Sequence, residues 1–304
     1  MRRLATALVL VLAGCTSTAH TVSTTSATPA VSSTVPAATS PAVTTPPATA
    51  TATPSTAPAA RSGHVVVVLM ENRSYRDIIG DRSAPYLNEL ARQGLNLTSM
   101  FAIRHPSQPN YVALFSGSTR GLTSDVCPQT FGATNLARQL LDAHLSFAGY
   151  AEGLPNTANL TCATGRYARK HAPWTNFADL PAQVGQPLTA FPTDYTTLPS
   201  VSFVIPNLDH DMHDGTVAQG DTWLRAHLSG YVRWATTHHS QLVVTWDEDD
   251  HSESNQIPTF IVGAGIAPTT VTSRLTLYSL LRYLEHRFDL AYLGGAATAA
   301  TIPA

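Results

Sequence analysis

The sequence predicts an α/β fold with a mostly parallel central sheet and helices on both faces. Short apolar segments rich in β-branched residues alternate with segments of helical apolar spacing. A continuous apolar run such as HVVVVLM is typical of a strand that is buried on both faces, as in parallel sheets. With 304 residues, 43% of them apolar, the chain can form one sizeable core.

The predicted elements follow one another along the chain, separated by turn-rich segments. The predicted strands lie at 64–70, 96–103, 146–152, 200–207, 241–248 and 257–265. The predicted helices lie at 83–94, 109–115, 134–144 (with Thr134 as N-cap), 221–239 and 276–288. The stretch between the third and fourth strands reads as a loop-rich insertion.

The N-terminus has the pattern of an export signal. Two arginines precede an apolar run that is too short to span a bilayer, and the run ends in Leu-Ala-Gly-Cys. This ending resembles a lipobox and predicts lipidation of Cys15; ordinary signal cleavage is the alternative. Residues 16–62 are almost wholly Ser, Thr, Ala, Pro and Val, which predicts a disordered linker. We therefore expect a signal peptide (1–15), a linker (16–62) and a folded domain (63–304) in an exported protein, either cell-surface or secreted.

Charge and cysteine content narrow the class of protein. The formal net charge is −2 and Lys plus Arg number 18, so no basic excess points to nucleic acid. If Cys15 carries lipid, Cys127 and Cys162 remain. Two cysteines in an exported chain predict a disulfide, with two free thiols as the alternative.

Two acidic clusters follow predicted strands, at the sheet edge where ligands bind in α/β folds. Glu71 and Asn72 follow the first strand and offer oxygen ligands to a divalent cation. The run 247–250 consists of four consecutive carboxylates, which repel one another unless they are solvated or neutralised. The two clusters predict a shared cation, and the alternatives are a helix cap and a plain acidic loop.

Three further segments carry candidate chemistry. Ser107 lies between a strand and a helix start, where backbone N–H groups favour an anion, and it needs a base or a metal to act as a nucleophile. His210 and His213 lie in a segment suited to a general acid or a second metal. Lys170 and His171 could bind phosphate. The alternatives are a helix cap, a polar turn and a solvent-facing loop, respectively.

The segments LMENRSY, HPSQPNY, VIPNLDHDMHDG and VVTWDEDD, in that order, resemble the bacterial phosphoesterase family. That family contains acid phosphatases and phospholipases C and belongs to the alkaline-phosphatase-like superfamily. The resemblance covers roughly residues 63–290 and implies roles for matching residues. These are metal ligation by Glu71, Asn72, Asp247 and Glu248, nucleophilic attack by Ser107, binding of phosphoryl oxygens by Asn110, and metal ligation or proton donation by His213.

One departure from the family pattern bears on the number of metal ions. Two-metal relatives carry an Asp-His pair where this chain has Asp247 and Glu248, and an acid where it has Asn207. The resemblance therefore implies one divalent metal ion rather than two.

The resemblance also implies the reaction. It predicts an exported acid phosphatase that hydrolyses phosphomonoesters, phosphoinositides included, through a phosphoserine, with His213 or His210 protonating the leaving alcohol and Lys170 or His171 stabilising the phosphoryl oxygens. A phospholipase C-type phosphodiesterase and a non-catalytic surface binding lipoprotein are the alternatives. The expected partners are phosphorylated small molecules or phosphoinositide headgroups and a membrane reached through the lipid on Cys15. We expect a monomer that binds no nucleic acid.

Overall fold

The computed structural model describes residues 63–252 and 254–303. Its strands are β1 (Val65–Met70), β2 (Leu95–Leu97), β3 (Met100–Phe101), β4 (Phe147–Ala151), β5 (Ala163–Thr164), β6 (Tyr167–Ala168), β7 (Gly185–Pro187), β8 (Val201–Ile205), β9 (Gln241–Trp246), β10 (Thr259–Gly263), β11 (Thr269–Val271) and β12 (Leu275–Thr276). Its α-helices are α1 (Tyr75–Ile78), α2 (Pro85–Gln93), α3 (Ser107–Ser116), α4 (Leu136–Asp142), α5 (Val217–Ala235) and α6 (Leu277–Arg287).

The main sheet has eight strands in the order β11-β2-β10-β9-β1-β8-β4-β7. The five strands from β9 to β7 run parallel to one another, whereas β10 is antiparallel to both of its neighbours. Every residue of β1, β4, β8 and β9 is buried, so both faces of the sheet are covered. One group of helices, α2 and α5, packs together, and α3 packs with α4 and α6. The predicted mostly parallel α/β fold is confirmed.

Several predicted boundaries are wrong. The single strand predicted at 96–103 is two short strands, β2 and β3, which lie in different sheets and are separated by a turn. The helix predicted from 109 begins at Ser107. Thr134 is not the cap of α4, because the side chain of Asn135 accepts the hydrogen bond from Arg138 N at 2.9 Å. Helix α5 begins at Val217, earlier than predicted, after a capping box on Thr216.

Between β4 and β8 the chain forms the predicted insertion, which contains short strands and 3₁₀ turns. A disulfide joins Cys127 to Cys162, with an S–S distance of 2.08 Å, and confirms the predicted pairing. Among the described residues, no helix has the length and apolar character to cross a membrane. The predicted signal peptide and linker lie outside the described residues.

Helix α6 carries a carboxyl group whose burial makes stability depend on pH. Glu285 is fully buried, and its Oε1 accepts a hydrogen bond from Leu293 N at 2.9 Å. Burial raises the pKa of Glu285 to about 8. In the unfolded chain this carboxyl group ionises near pH 4. Between about pH 4 and pH 8 the folded protein therefore keeps a proton on Glu285 that the unfolded chain has lost. The resulting loss of stability grows as the pH rises from about 4 to about 8.

We expect Glu285→Gln to raise the free energy of unfolding by about 1–3 kcal/mol at pH 8 and to change it little at pH 4.5. Urea unfolding at both pH values measures the difference. Glu89→Gln is the control, because Glu89 pairs with Gln93 at the exposed surface of α2. An equal effect of Glu285→Gln at both pH values would contradict the prediction.

Candidate active site

The ends of two adjacent parallel strands place Glu71 and Asp247 together. Met70 at the end of β1 pairs with Trp246 at the end of β9, and Asp247 N donates to Met70 O at 3.0 Å. Both carboxylates are fully buried. Asn72 adopts a left-handed conformation with φ of 51°, which asparagine tolerates, and its N–H lies 3.3 Å from Asp247 Oδ1. The sheet register therefore builds the predicted acidic site.

The loop after β8 brings a third buried carboxylate to the same edge. Glu71 N donates to Asp211 O at 2.7 Å. The next residue, Met212, has φ of 82°, a strained value for a side chain of its size. Its buried side chain packs where Gly220 of α5 leaves room, because a Cβ at position 220 would collide with it. Packing against α5 therefore fixes the loop that carries Asp211.

Ser107, the first residue of α3, points into this acidic site. It is 2% exposed, and its Oγ donates to Glu71 Oε2 at 2.9 Å and lies 3.2 Å from Glu248 Oε1. A hydroxyl held between two carboxylates can release its proton to one of them. The geometry suits a serine nucleophile with an adjacent base.

His171, from the 3₁₀ turn Arg169–His171, lies between two acids. Its Nε2 lies 3.0 Å from Glu71 Oε1 and its Nδ1 3.3 Å from Asp211 Oδ2. The ring stacks on Tyr111 at 5.1 Å between centroids, and the Tyr111 hydroxyl donates to Glu71 Oε1 at 2.6 Å. Burial alone would lower the pKa of His171, but Glu71 and Asp211 raise it to about 9. Burial likewise acts to raise the pKa of Glu71, yet His171 and Tyr111 lower it to about 2.

The pKa values of Asp247 and Glu248 are raised, because the contacts that favour their charged forms do not offset burial. Burial, followed by the charge of Glu71, raises the pKa of Asp247 well above its ordinary value and that of Glu248 to about 8. Asp247 Oδ2 is buried and has no hydrogen-bond partner among the described residues. Buried carboxylates in contact need protons or a cation between them. The site therefore fits a metal ion, as predicted.

A second set of metal-ligating atoms overlaps the first. Ligand atoms of Glu71, His171 and Asp211 lie within 4.8 Å of one another, and all three residues are buried. Sequence reasoning assigned His171 to phosphate and did not single out Asp211. Glu71 is common to both sets.

The acidic run divides into buried and exposed parts. Asp249 is 1% exposed, and its carboxylate accepts from the backbone N–H groups of His251 and Asn255. His105 lies 2.7 Å from Glu248 Oε2 and 3.2 Å from Asp249 Oδ1, so it bridges the two acids. Asp250 is exposed. Asp249 is therefore buried rather than solvated, and it helps to hold His105 beside Glu248.

Lys170 and His171, the pair predicted to bind phosphate, both lie beside the acidic residues, and their binding of phosphate stays a prediction. Lys170 Nζ binds Asp125 Oδ2 at 2.7 Å, and the charge of Lys170 also lowers the pKa of Glu71 and of Glu248. Burial works against the Lys170 ammonium, but Asp125 and Glu71 raise its pKa. Asp125 also accepts from Gln108 N at 2.9 Å, which ties this ion pair to the first turn of α3.

The structure separates the two candidate histidines. His213 N donates to Asp211 Oδ1 at 2.8 Å, and its ring lies 5.8 Å from that of His171. Its side chain is 29% exposed, and its Nδ1 lies 2.7 Å from Asp214 Oδ1, so the ring lies at the border between the site and solvent. His210 pairs with Glu152 at 2.9 Å and forms no hydrogen bond with Ser107, Glu71 or Asp247 among the described residues. His213 is therefore the better-placed proton donor.

Asn110 does not have the predicted role. Its Oδ1 accepts from Ile103 N and Arg104 N, and its Nδ2 lies within hydrogen-bond distance of Arg104 O and Pro106 O. These four bonds use the whole capacity of the amide, so no donor remains for a phosphoryl oxygen. The side chain instead holds the loop that precedes Ser107.

Comparison with known proteins decides the family. The sequence profile of the phosphoesterase family matches residues 81–291. The chain belongs to the phosphoesterase family. It is 51% identical over 242 residues to the phosphatidylinositol-3-phosphatase of Mycobacterium tuberculosis, covering 79% of this chain and 81% of that protein. It is 30% identical to a phosphate-repressible acid phosphatase of Penicillium chrysogenum, covering 75% of this chain and 60% of the fungal protein.

The fold of this phosphoesterase has solved counterparts. A protein of the alkaline phosphatase superfamily from Vibrio parahaemolyticus aligns with a TM-score of 0.56 at 14% identity, covering 79% of this chain and 71% of that chain. This likeness confirms the alkaline-phosphatase-like fold.

Besides Asp211, sequence reasoning missed Tyr111 and Asp125 of the phosphoesterase site. Tyr111 follows Ser107 by four residues in α3, so helical spacing places both on one face and could have indicated it. Asp125 lies on a loop with no motif, and no sequence signal connects it to Lys170.

We expect Asn110→Ala to lower the free energy of unfolding by about 2–3 kcal/mol, because buried backbone groups lose their partners. Activity should fall mainly in kcat, since the loop before Ser107 loses its anchor. Chemical denaturation and steady-state kinetics measure the two effects. Unchanged stability together with a raised KM would instead support the predicted contact between Asn110 and substrate.

Proposed function

We propose that this phosphoesterase hydrolyses phosphomonoesters by transferring the phosphoryl group first to Ser107 and then to water. The chain is a phosphoric monoester hydrolase, in keeping with relatives that are named phosphatases. The observation that carries the mechanism is the Ser107 hydroxyl held between Glu71 and Glu248. A non-catalytic binding protein would not need a buried hydroxyl in contact with two carboxylates.

In the first step, Ser107 Oγ attacks phosphorus and its proton passes to Glu248 Oε1. Glu248 is the stronger base of the two neighbours, because its pKa is about 8 whereas that of Glu71 is about 2, and a cation bound beside it would keep it ionised at acidic pH. The bond between phosphorus and the ester oxygen breaks, and His213 gives the leaving alcohol a proton. Lys170, whose charge lowers the pKa of Glu248, would stabilise the phosphoryl oxygens.

In the second step, a water molecule gives a proton to His213 and attacks the phosphorus of phosphoserine. The bond between phosphorus and Ser107 Oγ breaks, and Oγ recovers its proton from Glu248. Phosphate leaves, and every group returns to its starting protonation state. The partial exposure of His213 gives water access to this position.

We propose a single divalent metal ion, held by Glu71, Asn72 and Asp247 with Glu248 at the border of the same space. Such an ion would stabilise the serine alkoxide and the charge on the phosphoryl group. The unpartnered Asp247 Oδ2 supports this set. In the alternative set of Glu71, His171 and Asp211, a cation would have to displace the proton of His171, whose pKa is about 9.

We further propose that phosphoinositide headgroups are among the substrates and that acidic pH is preferred. The mycobacterial and fungal relatives named above support these two points. Export is proposed from residues 1–15, with lipid on Cys15 anchoring the protein to a membrane, or with release by ordinary cleavage. Mass spectrometry of the mature N-terminus tests this point: an unprocessed Met1 would exclude export by this signal.

Replacing the nucleophile should abolish turnover. We expect Ser107→Ala to lower kcat on p-nitrophenyl phosphate by at least about 10³-fold while the melting temperature stays within a few degrees. Acid quenching of the wild-type protein during turnover should trap a phosphorylated Ser107 peptide, detected by mass spectrometry. Ser116→Ala, at the other end of α3, is the matched control and should remain active. Substantial turnover by Ser107→Ala would disprove the assignment.

Removing a proposed ligand should remove the metal. We expect wild-type protein to retain about one ion per chain after dialysis, measured by elemental mass spectrometry, and Asp247→Asn to bind it at least about tenfold more weakly. Asp250→Asn, an exposed neighbour, is the control. If Asp211→Asn loses the ion and Asp247→Asn retains it, the alternative set holds the metal. Two ions per chain would contradict the single-ion proposal.

A further inference from the structure

A separate cavity of about 310 Å³ lies in the insertion between β4 and β8. Most of its wall is apolar, and the side chains that form it include Leu154, Leu160, Trp174, Phe177, Leu180 and Val184. Its volume is at the lower end of the range for ligand pockets, about 300–1,000 Å³. None of these side chains takes part in the proposed chemistry, so the cavity needs a different explanation.

The wall of this cavity contains one buried donor without a partner. Trp174 is 3% exposed, and its Nε1–H has no hydrogen-bond acceptor among the described residues. Gly185, also in the wall, keeps the space beside it open, because a Cβ there would lie 2.7 Å from Nε1. An unsatisfied buried N–H costs about 1–3 kcal/mol. A mostly apolar ligand with one acceptor oxygen would supply the missing hydrogen bond.

The cavity is braced in its open form. Arg169 Nη1 donates to Leu160 O at 2.8 Å, and Nη2 donates to Thr175 O at 2.8 Å, which ties opposite walls together. The Cys127–Cys162 disulfide anchors the same loop to the segment before α4. Because the Arg169 guanidinium is bound to carbonyl oxygens, it does not present a site for an anion. The cavity therefore suits an uncharged group.

Two exposed apolar side chains lie near the disulfide in the sequence, and one of them lines the cavity. Val126 and Leu160 are each 58% exposed, more than any other large apolar side chain of the described residues. They flank the disulfide in the sequence, and Leu160 also lines the cavity. Exposed apolar side chains beside an apolar cavity are typical of a surface that contacts lipid or another apolar ligand.

One 3₁₀ turn separates the cavity from the active site. Arg169 lines the cavity and His171 contacts Glu71, and the rise of such a turn is about 2 Å per residue. We propose that the cavity binds an alkyl chain of a phosphorylated lipid, with a carbonyl oxygen of the lipid accepting from Trp174 Nε1. The proposal rests on the proposed function in one respect, namely that the phosphate of the same molecule lies at Ser107.

A series of alkyl phosphates tests the proposal. With ethyl, butyl and octyl phosphate at concentrations below micelle formation, we expect wild-type kcat/KM to rise by at least about tenfold from ethyl to octyl, since each buried methylene is favourable. Ala182→Phe, which places a ring in the cavity wall, should remove this gain and leave turnover of ethyl phosphate unchanged. Ala190→Phe is the matched control, because Ala190 is also exposed on a 3₁₀ turn and does not line the cavity.

A second measurement does not depend on catalysis. Methyl decanoate, a neutral ester without phosphate, should bind to wild-type protein and to Ser107→Ala in saturation-transfer NMR, and not to Ala182→Phe. Leu160→Asn, at an exposed position, should weaken binding if Ala182→Phe fails to fold. Binding of methyl decanoate without hydrolysis of any phosphate ester would reject the proposed function and keep the alkyl site. Equal kcat/KM for ethyl and octyl phosphate, with no binding of the ester, would overturn the alkyl site alone.

Discussion

The burial of the Glu71 carboxylate is the constraint on which the site depends. Glu71 is fully buried at the end of the central strand, where an unpaired charge would cost several kcal/mol. Its oxygens are close to donors from Ser107, Tyr111 and His171. These donors come from helix α3 and from the insertion, so the same contacts that compensate the charge also fix both segments against the sheet. The hydrogen bond that compensates the buried charge of Glu71 therefore also positions the nucleophile Ser107.

The parallel sheet explains why sequence reasoning identified much of the site. Buried strands of five or six residues, several of them rich in valine, were recognisable, and the residues that follow parallel strands gather at one edge. This rule alone predicted that Glu71 and Asp247 lie close together. In the structure, the pairing of Met70 with Trp246 places them side by side. Ser107 needed the family resemblance as well, because a serine at a helix start is more commonly a cap.

The remaining features could not be predicted because they depend on tertiary contacts. The residues of α3 show this within one turn: Tyr111 faces the site, whereas Asn110 turns to the backbone of its own loop. The motif match assigned Asn110 to chemistry and gave Tyr111 no role, and the hydrogen-bond partners of the two residues reverse both assignments. The split of 96–103 into β2 and β3 likewise follows from pairing with distant strands, which local propensity does not encode.

Charge balance links the metal ion to an acidic working pH. The site gathers four carboxylates, from Glu71, Asp211, Asp247 and Glu248, against one imidazolium and the ammonium of Lys170, which is already paired with Asp125. A phosphate monoester dianion is repelled by this excess. A divalent cation reduces the excess and would keep Glu248 ionised as the base, and protonation of Asp247, whose pKa is raised, also reduces the excess. A low pH and a cation therefore relieve the same repulsion, and the lower charge of a protonated phosphate ester relieves it further.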